Sequence, residues 1–233
     1  MSDRGSIPRL PSGVPGLDEV LGGGIPELSF NLIAGRPGCG KTTLAHQILF
    51  ANATPQRRAL YIMVLGEPPL KMLRYQQQFS FFDESKLTSA VRFLHLGIEM
   101  LSEGTEKVLE RIVAEVDKEN IGIVMVDSFR SVVRRTLARP KGEEYLPSLI
   151  QRLAQHLISY QATTFLIDRF QDDDGDSHPV FTMADGILWL YQSGDHNSMV
   201  RKLRVVKMRG QGQIPGLHTA RISQSGLSIF PRV

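Results

Sequence analysis

The spacing of apolar residues changes period several times along this chain, and each change marks an element. Residues 30–34 (Phe-Asn-Leu-Ile-Ala) form a nearly continuous apolar run that reads as a buried strand, and residues 43–50 after it read as a helix. Residues 59–65 are a second continuous apolar strand. Residues 69–79 are helix-like, with Leu70, Leu73 and Gln77 or Phe79 near helical spacing, and residues 91–96 are a short strand. Over residues 105–118, Val108, Leu109, Ile112, Val113 and Val116 recur at steps of three and four, which predicts an amphipathic helix. Residues 121–126 are a strand bounded by Asp127. The strongest helical period lies over residues 145–160, through Leu146, Leu149, Ile150, Leu153, Leu157 and Ile158. Residues 163–167 then return to strand.

Beyond that point no helical pattern intervenes. Residues 186–191, 200–206, 218–222 and 227–230 read as strands separated by Gly, Asp, Asn and Pro turns. The expected fold is α/β: one domain over residues 1–233, with a mainly parallel twisted sheet flanked by helices and extended by antiparallel C-terminal strands. Asp172, Asp173, Asp174 and Asp176 belong to an expected mobile surface loop.

Composition narrows the picture only a little. At 233 residues the chain is long enough for a substantial single core. A formal charge of +3 is too small to imply nucleic acid by itself. No run approaches the roughly 18 apolar residues of a membrane span, and the first residues lack the apolar core of a secretory signal. Cys39 is the single cysteine, so an intrachain disulfide is impossible and a cytoplasmic setting is expected. His178, His196 and His218 have no metal-like spacing, Trp189 reads as core, and Gln76, Gln77 and Gln78 as an exposed helix face.

Between the first strand and the first helix lies Gly35-Arg36-Pro37-Gly38-Cys39-Gly40-Lys41-Thr42, followed by Thr43. This is the full G-x-x-x-x-G-K-T spacing of a phosphate-binding loop, in the strand–loop–helix setting the chemistry needs. Glycines let successive N–H groups turn toward phosphate oxygens, and the helix N-terminus adds its positive end. Lys41 would reach the β- and γ-phosphates and the Thr42 hydroxyl would ligate Mg²⁺. Cys39 occupies a variable position and reads as a small filler. Asp127 closes Ile123-Val124-Met125-Val126, the Walker B pattern, and would hold Mg²⁺ at the carboxyl edge; the alternative is a cap for a helix over residues 128–134. Glu67 follows the strand at 59–65 and emerges at the same edge, where a carboxylate could polarise an attacking water. Its alternative role is to favour the start of the next helix.

The residues resemble the RecA-like P-loop ATPases, and among them the KaiC-type circadian-clock ATPases and their bacterial relatives. The resemblance spans nearly the whole chain. Ser12-Gly13-Val14-Pro15-Gly16-Leu17-Asp18-Glu19-Val20-Leu21-Gly22-Gly23-Gly24-Ile25-Pro26 is similar to the family's opening motif. The phosphate loop and Asp127-Ser128 follow; Lys202 to Gly210 resembles its late Lys-x-Arg-Gly strand, and Ser225 to Pro231 its closing strand. The resemblance implies a nucleotide-dependent homohexamer with ATP and Mg²⁺ between subunits. It implies that Lys207 and Arg209 act on a neighbour's γ-phosphate, and that slow hydrolysis signals to a clock-type or other protein partner. The residues alone give only a basic strand, for which a solvated sheet edge is the ordinary explanation. Such proteins often carry two tandem units, and one is present here.

Two positions depart from the family. Gly66-Glu67 stands where two glutamates are expected, which makes nucleotide binding a firmer expectation than turnover. Asp168-Arg169 stands where a small polar sensor is expected. Two other readings follow. One is a DNA-dependent recombinase or helicase motor, suggested by Arg130, Arg134, Arg135, Arg139 and Lys141 but opposed by the four nearby aspartates, so nucleic acid is not the expected partner. The other is a nucleotide-gated scaffold that assembles without turning over.

Overall fold

The computed structural model describes residues 7–64, 68–97, 104–170, 179–195 and 198–232. Its main sheet has nine strands in the order β11-β10-β9-β8-β3-β7-β6-β4-β5. These are β3 (Phe30–Gly35), β4 (Arg58–Val64), β5 (Val91–Leu96), β6 (Ile121–Asp127), β7 (Thr163–Asp168), β8 (Gly186–Asp195), β9 (Ser198–Met208), β10 (His218–Ser223) and β11 (Gly226–Phe230). From β8 to β5 every pairing is parallel; β9, β10 and β11 add on antiparallel. A two-stranded ribbon, β1 (Arg9–Leu10) and β2 (Ile25–Pro26), brackets α1 (Leu17–Leu21).

The sheet carries a core on each side, which is why its parallel strands read as nearly continuous apolar runs. In β3, Phe30, Leu32 and Ala34 point into one core and Ile33 into the other, the period of two expected of a strand. One face is covered by α1, α2 (Lys41–Asn52) and α3 (Pro69–Gln76), with the short α4 (Lys86–Ser89) at its margin. The other is covered by α5 (Thr105–Asp117), α6 (Arg130–Leu137), α7 (Gly142–Ser159) and α8 (Pro179–Met183). Residues 44–50 of α2 are buried on every side, so this helix has no polar face to betray its orientation.

Gln47 of α2 ties distant segments together. Its amide donates to the carbonyls of Gly13 (2.9 Å) and Leu227 (3.2 Å), and its oxygen accepts from the Leu227 N–H (2.9 Å). Asn52 donates to the Pro11 carbonyl at 2.7 Å, and the Ile229 N–H to that of Pro15 at 2.8 Å. The opening motif and the closing strand are thus clamped onto the phosphate-loop helix.

Several expectations change. β8 and β9 run longer than the sequence pattern showed, and β9 lies between β8 and β10 in strand order. β10 covers only Arg201–Leu203 of it, so among the described residues the stretch that carries Lys207 is paired on the β8 side alone and keeps the character of a sheet edge. Gln76 is buried rather than exposed, because α3 turns that side toward α2. Helix α7 begins at Gly142, so Pro147 falls inside it, near its first turn. His218 is a satisfied core histidine: one ring nitrogen contacts the Ile214 carbonyl (3.1 Å) and the other accepts from the Arg232 N–H (3.0 Å). His178, His196 and the aspartates at 172–174 and 176 lie outside the described residues.

Among the described residues, Glu115 on α5 carries the densest ion cluster. Its side chain is fully covered, yet by the half-exposed cations Arg92, Arg111 (2.9 Å) and Lys118 (2.7 Å) rather than by apolar core. Lys118 first, then Arg92 and Arg111, hold its carboxyl below the ordinary value of 4.5. A carboxyl depressed on folding contributes stability that is present above 4.5 and lost as pH falls through the lowered folded value. Glu115→Gln is therefore expected to cost about 1–2 kcal/mol at pH 7, a deficit that shrinks below pH 4.5; urea melts at the two pH values measure it.

Candidate nucleotide site

Strand β3 ends at Gly35, and the chain wraps through Arg36–Gly40 before α2 starts at Lys41. Gly35 and Gly40 adopt φ of 142° and 107°. A side chain at Gly35 would strike the Leu190 carbonyl of β8, and one at Gly40 would come within 2.7 Å of Ile222. Glycine is required at Gly35 by space as well as by backbone conformation, and at Gly40 by backbone conformation, since the Ile222 side chain can give way. Cys39 is fully buried in this loop, and burial pushes its thiol pKa up, which fits a neutral filler.

Lys41 folds its ammonium onto the loop's own carbonyls, Gly35 at 2.7 Å and Arg36 at 2.8 Å. Burial lowers its pKa, opposed by Cys39, Asp127 and Asp168. These carbonyl contacts keep the cation centred over the loop, where an anion would meet it.

Thr42 donates its hydroxyl to Asp127 Oδ2 at 3.1 Å, joining the first turn of α2 to the end of β6. Tyr61 of β4 donates to the same oxygen at 2.6 Å. Burial raises the Asp127 pKa, with these two hydrogen bonds and Lys41 opposing it; burial also drives the Tyr61 phenol well up, so it remains a donor. A hydroxyl and a carboxylate oxygen converging this closely are hard donors of the kind Mg²⁺ takes, since that ion keeps several waters and uses few protein ligands. Thr42 and Asp127 therefore fit the ion. Tyr61 was not legible beforehand, because it lies inside an unbroken apolar run.

Asp168 ends β7 and is 3% exposed. Burial raises its pKa to about 7, against the Arg169 N–H, Arg130 and Lys41, with Asp127 adding to the rise. Its Oδ1 accepts from the Arg169 N–H at 2.6 Å, and Arg130 of α6 donates to the Arg169 carbonyl at 2.6 Å. The sequence did carry a signal for it. Residues 163–167 followed by Asp168 repeat the pattern of an apolar strand ending in aspartate that singled out Asp127.

Lys207 and Arg209 lie elsewhere. Lys207 donates to the Phe181 (3.3 Å) and Thr182 (3.1 Å) carbonyls, and burial, then Arg209, lowers its pKa. Arg209 pairs with Asp185 at 3.1 Å, and the other carboxylate oxygen of Asp185 accepts the Phe30 N–H at 3.0 Å. This is the amino end of β3, five residues and roughly 16 Å from the loop at its carboxyl end. Glu67 and Gly66 lie outside the described residues. Of the basic run, Arg130 is engaged as above and Arg139 donates to Thr105 (3.4 Å), while Arg134 and Arg135 are exposed. No helix among the described residues is long and apolar enough to cross a membrane.

Comparison with known proteins agrees with this geometry. The DNA repair protein RadA of Rickettsia prowazekii is 32% identical over 222 residues, covering 88% of this chain; the chain spans 44% of that relative's length. A UPF0273 protein of Methanocaldococcus jannaschii is 26% identical over 240 residues, with 96% of both chains covered. Among solved structures, the KaiC-like protein of the hyperthermophilic archaeon Pyrococcus horikoshii matches with a TM-score of 0.81 and 22% identity, over 97% of this chain and all of the other. A family model described as "ATPase: KaiC" matches residues 10–233. With its phosphate loop, Asp127 and sheet order in place, the chain belongs to the KaiC family of ATPases, whose fold is the RecA-like P-loop fold.

Proposed function

We propose that this chain is a ring-forming ATPase that hydrolyses Mg–ATP slowly at subunit interfaces and passes its nucleotide state to a protein partner. The observation that carries the reading is the position of Lys207 and Arg209 toward the amino ends of the parallel strands, Arg209 roughly 16 Å from its own loop and Lys207, level with Leu32, roughly 10 Å along the strand from it. From there they serve a neighbour's nucleotide or none. A head-to-tail ring that set the amino end of one subunit's sheet against the carboxyl end of the next would bring these two cations to where charge develops on the terminal phosphate. Within one subunit, the loop N–H groups and Lys41 would bind the phosphates, and Thr42 and Asp127 would hold Mg²⁺. That ion would supply positive charge against the terminal phosphates. Glu67 would orient the attacking water.

The test is particle mass with and without Mg–ATP, with phosphate release followed in the same sample. Assembly on ATP addition and release that disappears in Glu67→Gln are expected. A particle that stays monomeric at saturating ATP would overturn the ring. Assembly with release no faster than in Glu67→Gln would select the non-hydrolysing scaffold.

The similarity to a DNA repair protein, together with the exposed Arg134 and Arg135 of α6, favours one second reading, a DNA-dependent motor. It requires that single-stranded DNA raise the ATPase rate and that the stimulation fall steeply with salt.

A further inference from the structure

Strand β7 is interposed between the strand that carries the phosphate loop and the strand that carries Asp127: the order is β3-β7-β6. Asp168 pairs in register with Ala34, the residue before Gly35, and its predecessor Ile167 pairs with Asp127. Any group that reaches from Lys41 to a metal at Asp127 must therefore pass over the end of β7. In a bound nucleoside triphosphate the terminal phosphate would be the group nearest that crossing, since it lies farthest along the chain of phosphates from the N-terminus of α2, and Lys41 with the Thr42–Asp127 pair would act on it from either side. The α-phosphate instead lies toward the N-terminus of α2, away from β7.

Asp168 is the side chain at that crossing. It is buried, coupled to Lys41, and turned in place by the Arg169 N–H, while Arg130 ties down the next carbonyl. A carboxylate here does two things to an arriving phosphate. It repels the terminal phosphate directly, and it draws on the Lys41 charge that the phosphate needs. A diphosphate, which ends one group short of the crossing, escapes most of both effects.

We propose that Asp168 sets the discrimination between nucleoside tri- and diphosphate in this chain, by standing as a carboxylate under the γ-phosphate position. It weakens ATP relative to ADP, so that an occupied site releases its grip on the triphosphate unless a further cation arrives. This rests on the nucleotide-binding reading above. In that reading the arriving cations are a neighbour's Lys207 and Arg209, which makes tight triphosphate binding conditional on assembly.

Equilibrium binding of Mg–β,γ-imido-ATP and Mg–ADP to dilute, unassembled protein at about pH 8.5, well above the raised value of Asp168, tests it, comparing the parent chain with Asp168→Asn. Asparagine keeps the oxygen that accepts from Arg169 and removes only the charge; Asp168→Ser is the second variant, and thermal melting verifies that each is folded. The expected result is about a tenfold gain in affinity for the imido-triphosphate, the order of one partly screened unit charge, with ADP affinity unchanged within about twofold. Equal shifts for both nucleotides, no shift for either, or weaker triphosphate binding, as loss of a metal ligand would produce, would each overturn the proposal while leaving the site reading intact. A parent chain that binds neither nucleotide would overturn both.

Discussion

Replacing Arg209 by alanine is expected to leave ATP binding by the isolated subunit unchanged and to lower turnover of the assembled protein by about 10³-fold, the lower end of what an arginine supplied in trans contributes. The fold should tolerate the change. Arg209 is 60% exposed and its partner Asp185 keeps the Phe30 N–H, so the lost ion pair is of the surface kind, worth about 1 kcal/mol or less. Mixing separates a trans role from an indirect one. A Lys41→Ala subunit has a dead loop but an intact Arg209; an Arg209→Ala subunit is the reverse. Randomly mixed rings contain about one interface in four with both halves intact and should recover that share of the rate. Equal turnover of the parent and Arg209→Ala assemblies, or mixtures as inactive as their components, would remove Arg209 from the neighbour's site.

Lys41→Ala has the second large effect. The ammonium would contribute charge-assisted hydrogen bonds to two phosphates, each worth about 1.5–3 kcal/mol, so nucleotide affinity should fall by about 10³-fold or more. Stability should move little. In the free protein the ammonium lies partly buried against two carbonyls that water can serve in its absence, and burial already works against its charge. Calorimetric titration with Mg–ATP beside a thermal melt reads both quantities. A parallel drop in affinity and melting temperature would mean that Lys41 builds the loop rather than binds the ligand.

These two residues show how unevenly the sequence spoke. Lys41 was legible because its spacing to Gly35 and Gly40 is fixed by the loop, and because a strand precedes it and a helix follows. The core strands were legible for a related reason: a parallel strand buried on both faces has no polar positions to confuse the pattern. Arg209 was nameable only by resemblance, since its role depends on which end of the sheet it occupies, and strand order is not local information. The same holds for the place of β9 between β8 and β10. Tyr61 stayed hidden because a phenol in an apolar run looks like packing until a carboxylate two strands later in the sequence turns out to lie against it. Gln47 was hidden for the opposite reason, as a lone polar residue on a helix whose every side is covered. Helix α3 misled because three successive glutamines suggest solvent, whereas helical geometry sent Gln76 inward and left its neighbours out.

The chain has a single tryptophan, Trp189, and it sits one residue before Leu190, the position of β8 that pairs with Gly35. Its indole is 8% exposed and packed between Phe181 and Tyr191, at centroid distances of 5.6 and 6.0 Å. The protein thus carries its own optical probe at the foot of the phosphate loop. Its emission comes from one known environment, next to the position where the first glycine of the loop pairs with β8, so nucleotide occupancy can be followed in solution without attaching a dye.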